Sequence, residues 1–365
     1  MFHIKDIPLF KDFQIKWFIC TMGTGIMSSI LYSFPYHAQW LEKLGILMFS
    51  LCSLLLLFML ISFIIHLTIT NDRESIFYDL DKNVYLGTLV MGITSWSSMF
   101  FTVTGTSSII FVYVLWWLNV TLALSSGFVV VLCIFKRSVV KSSEITPVLL
   151  LPVVTLMVTS SFGFKIIQSL PRNLQLTSLI INFLLWSLAL MLSFILTVFY
   201  FYRLLIHKLP GKDVIFTSFI PIGFLGQGSY SIQLFGENYQ SYLLNKDLVT
   251  NQDLIEGLIF RNLGILVGLF LQSFGFYLTI ISIVSVFSQY PHKFHFGWWA
   301  VTFPMGTMSL GTLQTFELTG WEYSRIISVI YAAILFIAVL ICLTMPTFQI
   351  ISNWIKTKLT KKVHK

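Results

Sequence analysis

Long apolar runs alternate with short polar breaks along this chain. A membrane-spanning helix needs about 20 apolar residues. Ten such runs are read, at 15–34, 41–69, 85–104, 106–135, 147–169, 174–206, 215–235, 257–289, 297–317 and 324–355. The odd-numbered runs hold about 20 residues and the even-numbered ones about 30. The odd runs also carry helix-bending residues: Gly23 and Gly25 in the first, Gly92 in the third and Pro152 in the fifth. The seventh has Gly226 and Gly228 around Gln227, and the ninth has Pro304 and Gly306.

Bent helices free backbone N–H and C=O groups that lipid cannot satisfy, so they are expected to face protein or a water-filled path. Any one glycine taken alone reads better as a site of close helix packing. The five-fold alternation favours the path. It predicts an all-α integral membrane protein, with ten transmembrane helices as five helical hairpins around a central pore. The short odd helices would line the pore and the long even ones would face lipid. The chain then divides into a cytoplasmic N-terminus (1–14), a single ten-helix transmembrane domain (15–355) and a basic cytoplasmic C-terminus (356–365).

Composition agrees. Hydrophobic residues make up 56% of the 365 and charged residues 10%, against about a quarter charged in soluble domains. The net charge of +8 raises nucleic-acid binding as a class, but the positive residues lie in the breaks between runs and form no stripe, so no nucleic-acid partner is expected. With the N-terminus inside, seventeen Lys and Arg fall in the inner breaks. Four, Lys43, Arg172, Lys246 and Arg325, fall in the outer ones. That asymmetry places both termini in the cytoplasm. No small-residue cleavage site closes a short apolar core near the start, so the first span is expected to be retained.

Candidate chemistry is sparse. No Walker A, HExxH or nucleophile-elbow pattern occurs, and the four cysteines, all within apolar runs, lack metal-ligand spacing. Neither an enzyme nor a metal or cofactor is expected. All fifteen acidic residues lie in breaks or at run ends, with Glu237 and Glu317 nearest the membrane. A path without fixed acids suits an anion, since cation paths carry acidic rings. Hydroxyls such as Thr94, Ser95, Ser98 and Ser161 would help to hold it, although Ser and Thr in membrane helices more often bond back to their own helix. Lys165, inside the fifth run, either draws anions toward an outer mouth or snorkels to the interface; Arg261 reads as a snorkelling anchor. Phe303 precedes Pro304, and a ring beside a bend can plug a narrow path, because a hydrophobic constriction dewets. The sequon Asn119-Val120-Thr121 falls inside the fourth run and is expected to stay unglycosylated.

Four separate runs carry a family resemblance: MGTGIMSSILYSFPYHAQWL at 22–41, IFVYVLWWLNVTLAL at 110–124, LGQGSYSIQL at 225–234 and WWAVTFPMGTMSLGT at 298–312. The chain resembles the tellurite-resistance/dicarboxylate transporter family, which includes plant slow anion channels and fungal malate transporters, with the nearest likeness to fungal sulfite efflux pumps. The resemblance implies five hairpins around a pore lined by the odd helices and gated at Phe303. It implies export of sulfite or bisulfite across the plasma membrane as a detoxification, by a multi-pass protein that assembles as a homotrimer in the lipid bilayer. A malate/C4-dicarboxylate carrier and a chloride or nitrate channel of the same fold remain open. The chain ends soon after the last run, in KTKLTKKVHK, and the loop at 288–296 is short, so regulation through either segment is not carried over.

Overall fold

A computed structural model of the chain describes residues 8–70, 73–137, 141–246 and 248–363. Among the described residues all regular structure is helical. The principal helices are α1 (Ile19–Tyr32), α2 (Gln39–Ile69), α3 (Leu86–Thr104), α4 (Ile109–Leu124), α5 (Leu151–Ile166), α6 (Arg172–His207), α7 (Ile220–Leu244), α8 (Asn251–Ser288), α9 (Thr302–Thr319) and α10 (Glu322–Val363). Lys5 and Lys365, two of the charges used to orient the chain, lie outside the described residues.

Among the described residues six helical stretches are long and apolar enough to cross a membrane: Gln39–Ile69, Leu80–Cys133, Pro147–Ser169, Arg172–His207, Asn251–Ser288 and Glu322–Pro346. The protein is therefore a multi-pass membrane protein. The predicted runs 85–104 and 106–135 fall together in the second stretch. The chain reverses there at Gly105, whose φ of 64° is open to glycine because it lacks a Cβ, and α4 folds back along α3. Three predicted runs, 15–34, 215–235 and 297–317, form helices that fall short of that length or apolarity. The reason is local: α1 has only 14 residues, and α7 and α9 are rich in Gly, Gln, Ser and Thr.

Those three helices face protein instead of lipid. The odd helices close a ring in which α1 packs on α3, α3 on α5, α5 on α7, α7 on α9 and α9 on α1. The even helices lie outside it. Burial separates the two layers: 89% of the most apolar stretch of α5 is buried, against 22% in α2. Exposed Leu54 and Leu57 of α2, Leu184 and Met191 of α6, and Leu266 and Phe270 of α8 give an apolar outer surface of the kind that lipid tails solvate.

Buried polar side chains fasten the layers. Thr94 Oγ1 of α3 donates to Asn119 Oδ1 of α4 at 3.0 Å, which buries the sequon asparagine completely. Trp186 Nε1 of α6 donates to the Gly228 carbonyl of α7 at 3.0 Å. Gln272 Nε2 of α8 reaches Ser229 Oγ on α7 and Thr315 Oγ1 on α9 at 2.9 and 2.8 Å. In lipid such groups have no water to fall back on, so each is satisfied by a neighbouring helix.

Candidate functional site

Inside the ring lies a cavity of about 290 Å³. Its wall comes only from the odd helices and the residue capping α1: Ser29 and Ser33 of the α1 segment; Thr94, Ser95 and Ser98 of α3; Ser161 and Lys165 of α5; Gln227 and Glu237 of α7; Gln314 and Glu317 of α9, with apolar residues between them. The lining begins near the middle of α1, α3 and α5 and about a third of the way along α7, and continues toward their C-terminal ends. A second, much smaller cavity of about 20 Å³ is lined by their N-terminal residues, among them Met22, Met91, Val154 and Gly223. The odd helices therefore run parallel. On four of them about one turn, the 22→26, 91→94, 154→158 and 223→227 steps, separates the two lining sets.

On α9 a single side chain occupies that level. Phe303 borders both cavities and is 5% exposed. Polar walls lie on one side of its ring and almost entirely apolar walls on the other.

The backbone explains the placement. Residues Ile15–Phe18, Pro147–Leu150, Ile215–Phe219 and Phe296–Val301 form a 3₁₀ turn before α1, α5, α7 and α9 respectively. Pro152 lies second in α5 and Pro304 third in α9. A proline in the first turn costs no helical hydrogen bond. Pro152 and Pro304 thus start their helices, where mid-helix bends were expected. His295 Nδ1 accepts from the Gly297 N–H at 3.1 Å, capping the turn that delivers Phe303. Burial pushes the His295 imidazole below its ordinary value, against the opposing pull of Asp213.

Lys165 does not snorkel. Its Nζ donates to Thr102 Oγ1 at 2.5 Å and to Ser98 Oγ at 3.3 Å, at the cavity edge. Arg261 NH2 donates to the Leu318 carbonyl at 2.8 Å, tying α8 to the C-terminal end of α9. Gln227 Nε2 donates to Ser161 Oγ across the cavity wall. Elsewhere on the odd helices the hydroxyls of Thr24, Ser231 and Thr307 bond back to their own helices, and that of Thr302 to the Trp299 carbonyl in the turn before α9.

The glycines of the candidate set do not border the large cavity. Each sits where another helix comes close. A Cβ on Gly226 would meet Met308 N and Thr307 C at 2.5 Å; one on Gly306 would meet Ile26 Cδ1 at 2.6 Å; one on Gly23 would meet Thr302 Oγ1 at 2.7 Å. Gly25 abuts Ser95, Gly92 abuts Thr21, and Gly228 abuts Leu271 and Met157. They draw the ring tight rather than line a path.

The expectation of a path free of fixed acids is corrected. Glu237 and Glu317 both line the large cavity. They sit at or beyond the ends of the predicted runs, but α7 and α9 continue to Leu244 and Thr319 and carry them inward. Glu237 Oε2 accepts from Gln314 Nε2 at 2.9 Å. No group of three or more His, Cys, Asp or Glu able to hold a metal occurs among the described residues.

The sequence model of the voltage-dependent anion channel family (SLAC1) matches residues 12–347. The sulfite efflux pump SSU1 of Candida albicans is 35% identical over 334 residues, spanning 86% of this chain and 68% of that protein. SSU1 of Saccharomyces cerevisiae is 29% identical over 368 residues, spanning 85% and 80%. The malic acid transport protein of Schizosaccharomyces pombe is 22% identical over 317 residues, spanning 83% and 70%.

Proposed function

Because this chain belongs to the voltage-dependent anion channel family, and anion transport follows from that membership, we propose that it exports sulfite and bisulfite through the ring of odd helices, with Phe303 as the gate. The observation that carries the reading is the position of Phe303 between a polar cavity and an apolar pinch. In this reading ten helices cross the plasma membrane, both termini are cytoplasmic, and the protein forms a homotrimer.

An anion approaches from the side of the small cavity, which the Lys and Arg distribution puts at the cytoplasm. The closed ring of Phe303 leaves no wetted route, since a constriction that narrow and apolar excludes water. When the ring swings aside the two cavities join. The anion then exchanges its hydration for the hydroxyls of Ser98 and Ser161, the amide of Gln227 and the ammonium of Lys165. A negative-inside potential favours export of a monovalent anion by about 2.3 kcal/mol per 100 mV, so no coupled ion is needed.

The test is sulfite flux into or out of proteoliposomes under a set voltage, with chloride and malate measured alongside, for the wild type and Phe303→Ala. Selective sulfite flux that rises in Phe303→Ala supports both substrate and gate. Malate flux without sulfite flux overturns the substrate in favour of a dicarboxylate carrier. Chloride flux equal to sulfite flux makes the protein a general anion channel. Sulfite flux unchanged by the substitution discards the gate alone.

A further inference from the structure

We propose that the wide cavity selects by charge, passing monovalent anions and retarding divalent ones, with Glu317 and Glu237 as its specificity-determining groups. The inference rests on the export reading above and narrows its substrate to hydrogen sulfite in preference to the sulfite dianion.

The charged groups lining the cavity are Lys165, Glu237 and Glu317: one formal positive charge against two negative, a balance of −1. The other titratable group in the wall is the Tyr230 hydroxyl. Arg261, on α8, acts electrostatically on Glu237 from behind the wall, but it is turned to the Leu318 carbonyl and does not line the space. Among the described residues neither carboxylate is in an ion pair. Glu237 instead accepts the Gln314 amide at 2.9 Å. The ammonium of Lys165 is drawn to neutral oxygens on α3, Thr102 Oγ1 at 2.5 Å and Ser98 Oγ at 3.3 Å. The positive charge therefore sits on the α3–α5 side and the negative charges on the α7–α9 side.

An anion crossing this space is attracted by one wall and repelled by the other, with the repulsive wall carrying the larger formal charge. Coulomb energy is proportional to the charge of the passing ion, so a dianion meets twice the net repulsion of a monoanion. Enclosure by protein weakens solvent screening, which makes the difference larger than at an open surface. Size supplies no such discrimination: sulfite and sulfate are similar in bulk, and about 290 Å³ admits either. The apolar ring of Phe303 carries no charge with which to tell them apart. Carboxylates in an anion path thus have a use, as a toll on the second charge.

The experiment compares sulfite and sulfate flux in proteoliposomes at one fixed near-neutral pH for the full-length wild type, Glu317→Gln, Glu237→Gln and Glu317→Asp. Sulfate serves as the permanent dianion, and sulfite supplies hydrogen sulfite. The expected result is that the sulfate-to-sulfite flux ratio rises roughly tenfold in Glu317→Gln, a factor that corresponds to about 1.4 kcal/mol. A smaller rise is expected in Glu237→Gln, and the wild-type ratio in Glu317→Asp, which keeps the charge. A ratio unchanged in both Gln variants while sulfite flux persists overturns the charge filter and leaves the export reading standing. A ratio that rises equally in Glu317→Asp shows that a change of shape rather than of charge is responsible, and also overturns it. Absence of sulfite flux from the wild type and every variant removes the export reading itself.

Discussion

Lys165 Nζ lies 2.5 Å from Thr102 Oγ1, so the one ammonium in the cavity wall is tethered across from α5 to α3 instead of reaching for the membrane surface. A long flexible side chain on a membrane helix would ordinarily carry its charge to the interface. Here two hydroxyls and the Ser98 carbonyl, at 3.4 Å, hold it at the cavity edge.

Removing that charge is expected to slow transport. Lys165→Met should lower sulfite flux roughly tenfold, the low end of what charge steering contributes to the capture of an ion. Lys165→Arg should keep most of it. Proteoliposome flux at low ionic strength reads the effect, and added salt should narrow the gap between wild type and Lys165→Met if long-range attraction is the cause.

Close approach of α7 to α9 makes Gly226 intolerant of a side chain. Its Cβ would fall 2.5 Å from backbone atoms of Met308 and Thr307, and backbone cannot step aside. Gly226→Ala should cost about 1–3 kcal/mol, seen as a lower unfolding temperature of the detergent-solubilised protein. Gly211→Ala, with nothing within 4 Å of the added atom, is the control and should stay within about 0.5 kcal/mol.

Gln272 joins three helices through one amide nitrogen, which donates to Ser229 Oγ, the Gly311 carbonyl and Thr315 Oγ1 at 2.9, 3.0 and 2.8 Å. Gln272→Leu keeps the bulk but removes the donor. About 1–2 kcal/mol of stability should be lost, with thermal denaturation as the readout. Gln272→Glu, which leaves an acceptor facing acceptors, should cost more than Gln272→Leu.

The turn before α9 should loosen in acid. His295 Nδ1 accepts the Gly297 N–H, which requires an unprotonated ring. Burial holds the imidazole below its ordinary value of 6.5, so protonation favours the loosened state. The contribution of this cap is fully present above 6.5 and is lost as pH falls through the lower folded value. Hydrogen exchange at residues 296–301, corrected for intrinsic rates, should therefore quicken as the pH drops below that range. In His295→Asn, whose amide oxygen caps without titrating, the acid dependence should disappear. An identical pH profile in the two proteins would rule out His295 as the cause.

Much of the fold was legible in the chain because its cause is local. An apolar run of given length either can or cannot cross a bilayer, and a helical segment stands at each place where one was read. The two-layer arrangement was also visible, since polar, Gly-rich helices such as α7 and α9 must face protein while Leu- and Phe-rich helices such as α2 can face lipid. Phe303 stood out because it precedes Pro304 inside the family-like run at 298–312. That Phe303 borders both cavities was not readable.

Three features were decided only by the assembled ring. Which way a side chain on an odd helix points depends on its rotation about the helix axis. In a helix buried on every side no polar–apolar stripe records that rotation. Glu237 and Glu317 therefore read as acids at the run ends, nearest the membrane, yet the extended α7 and α9 turn them into the cavity. Gly226 and Gly306 read as bends in a path, whereas a neighbouring helix presses against each; contact between helices remote in sequence leaves no mark at either residue alone. Lys165 was divided between two readings because a free chain offers it only water, while the fold offers Thr102 and Ser98. The sequence by itself settled that the chain is a helical membrane protein, because burial in lipid is a matter of residue type and run length. Tertiary structure alone determined which charges meet inside the ring, because that depends on distances between helices that the chain visits far apart.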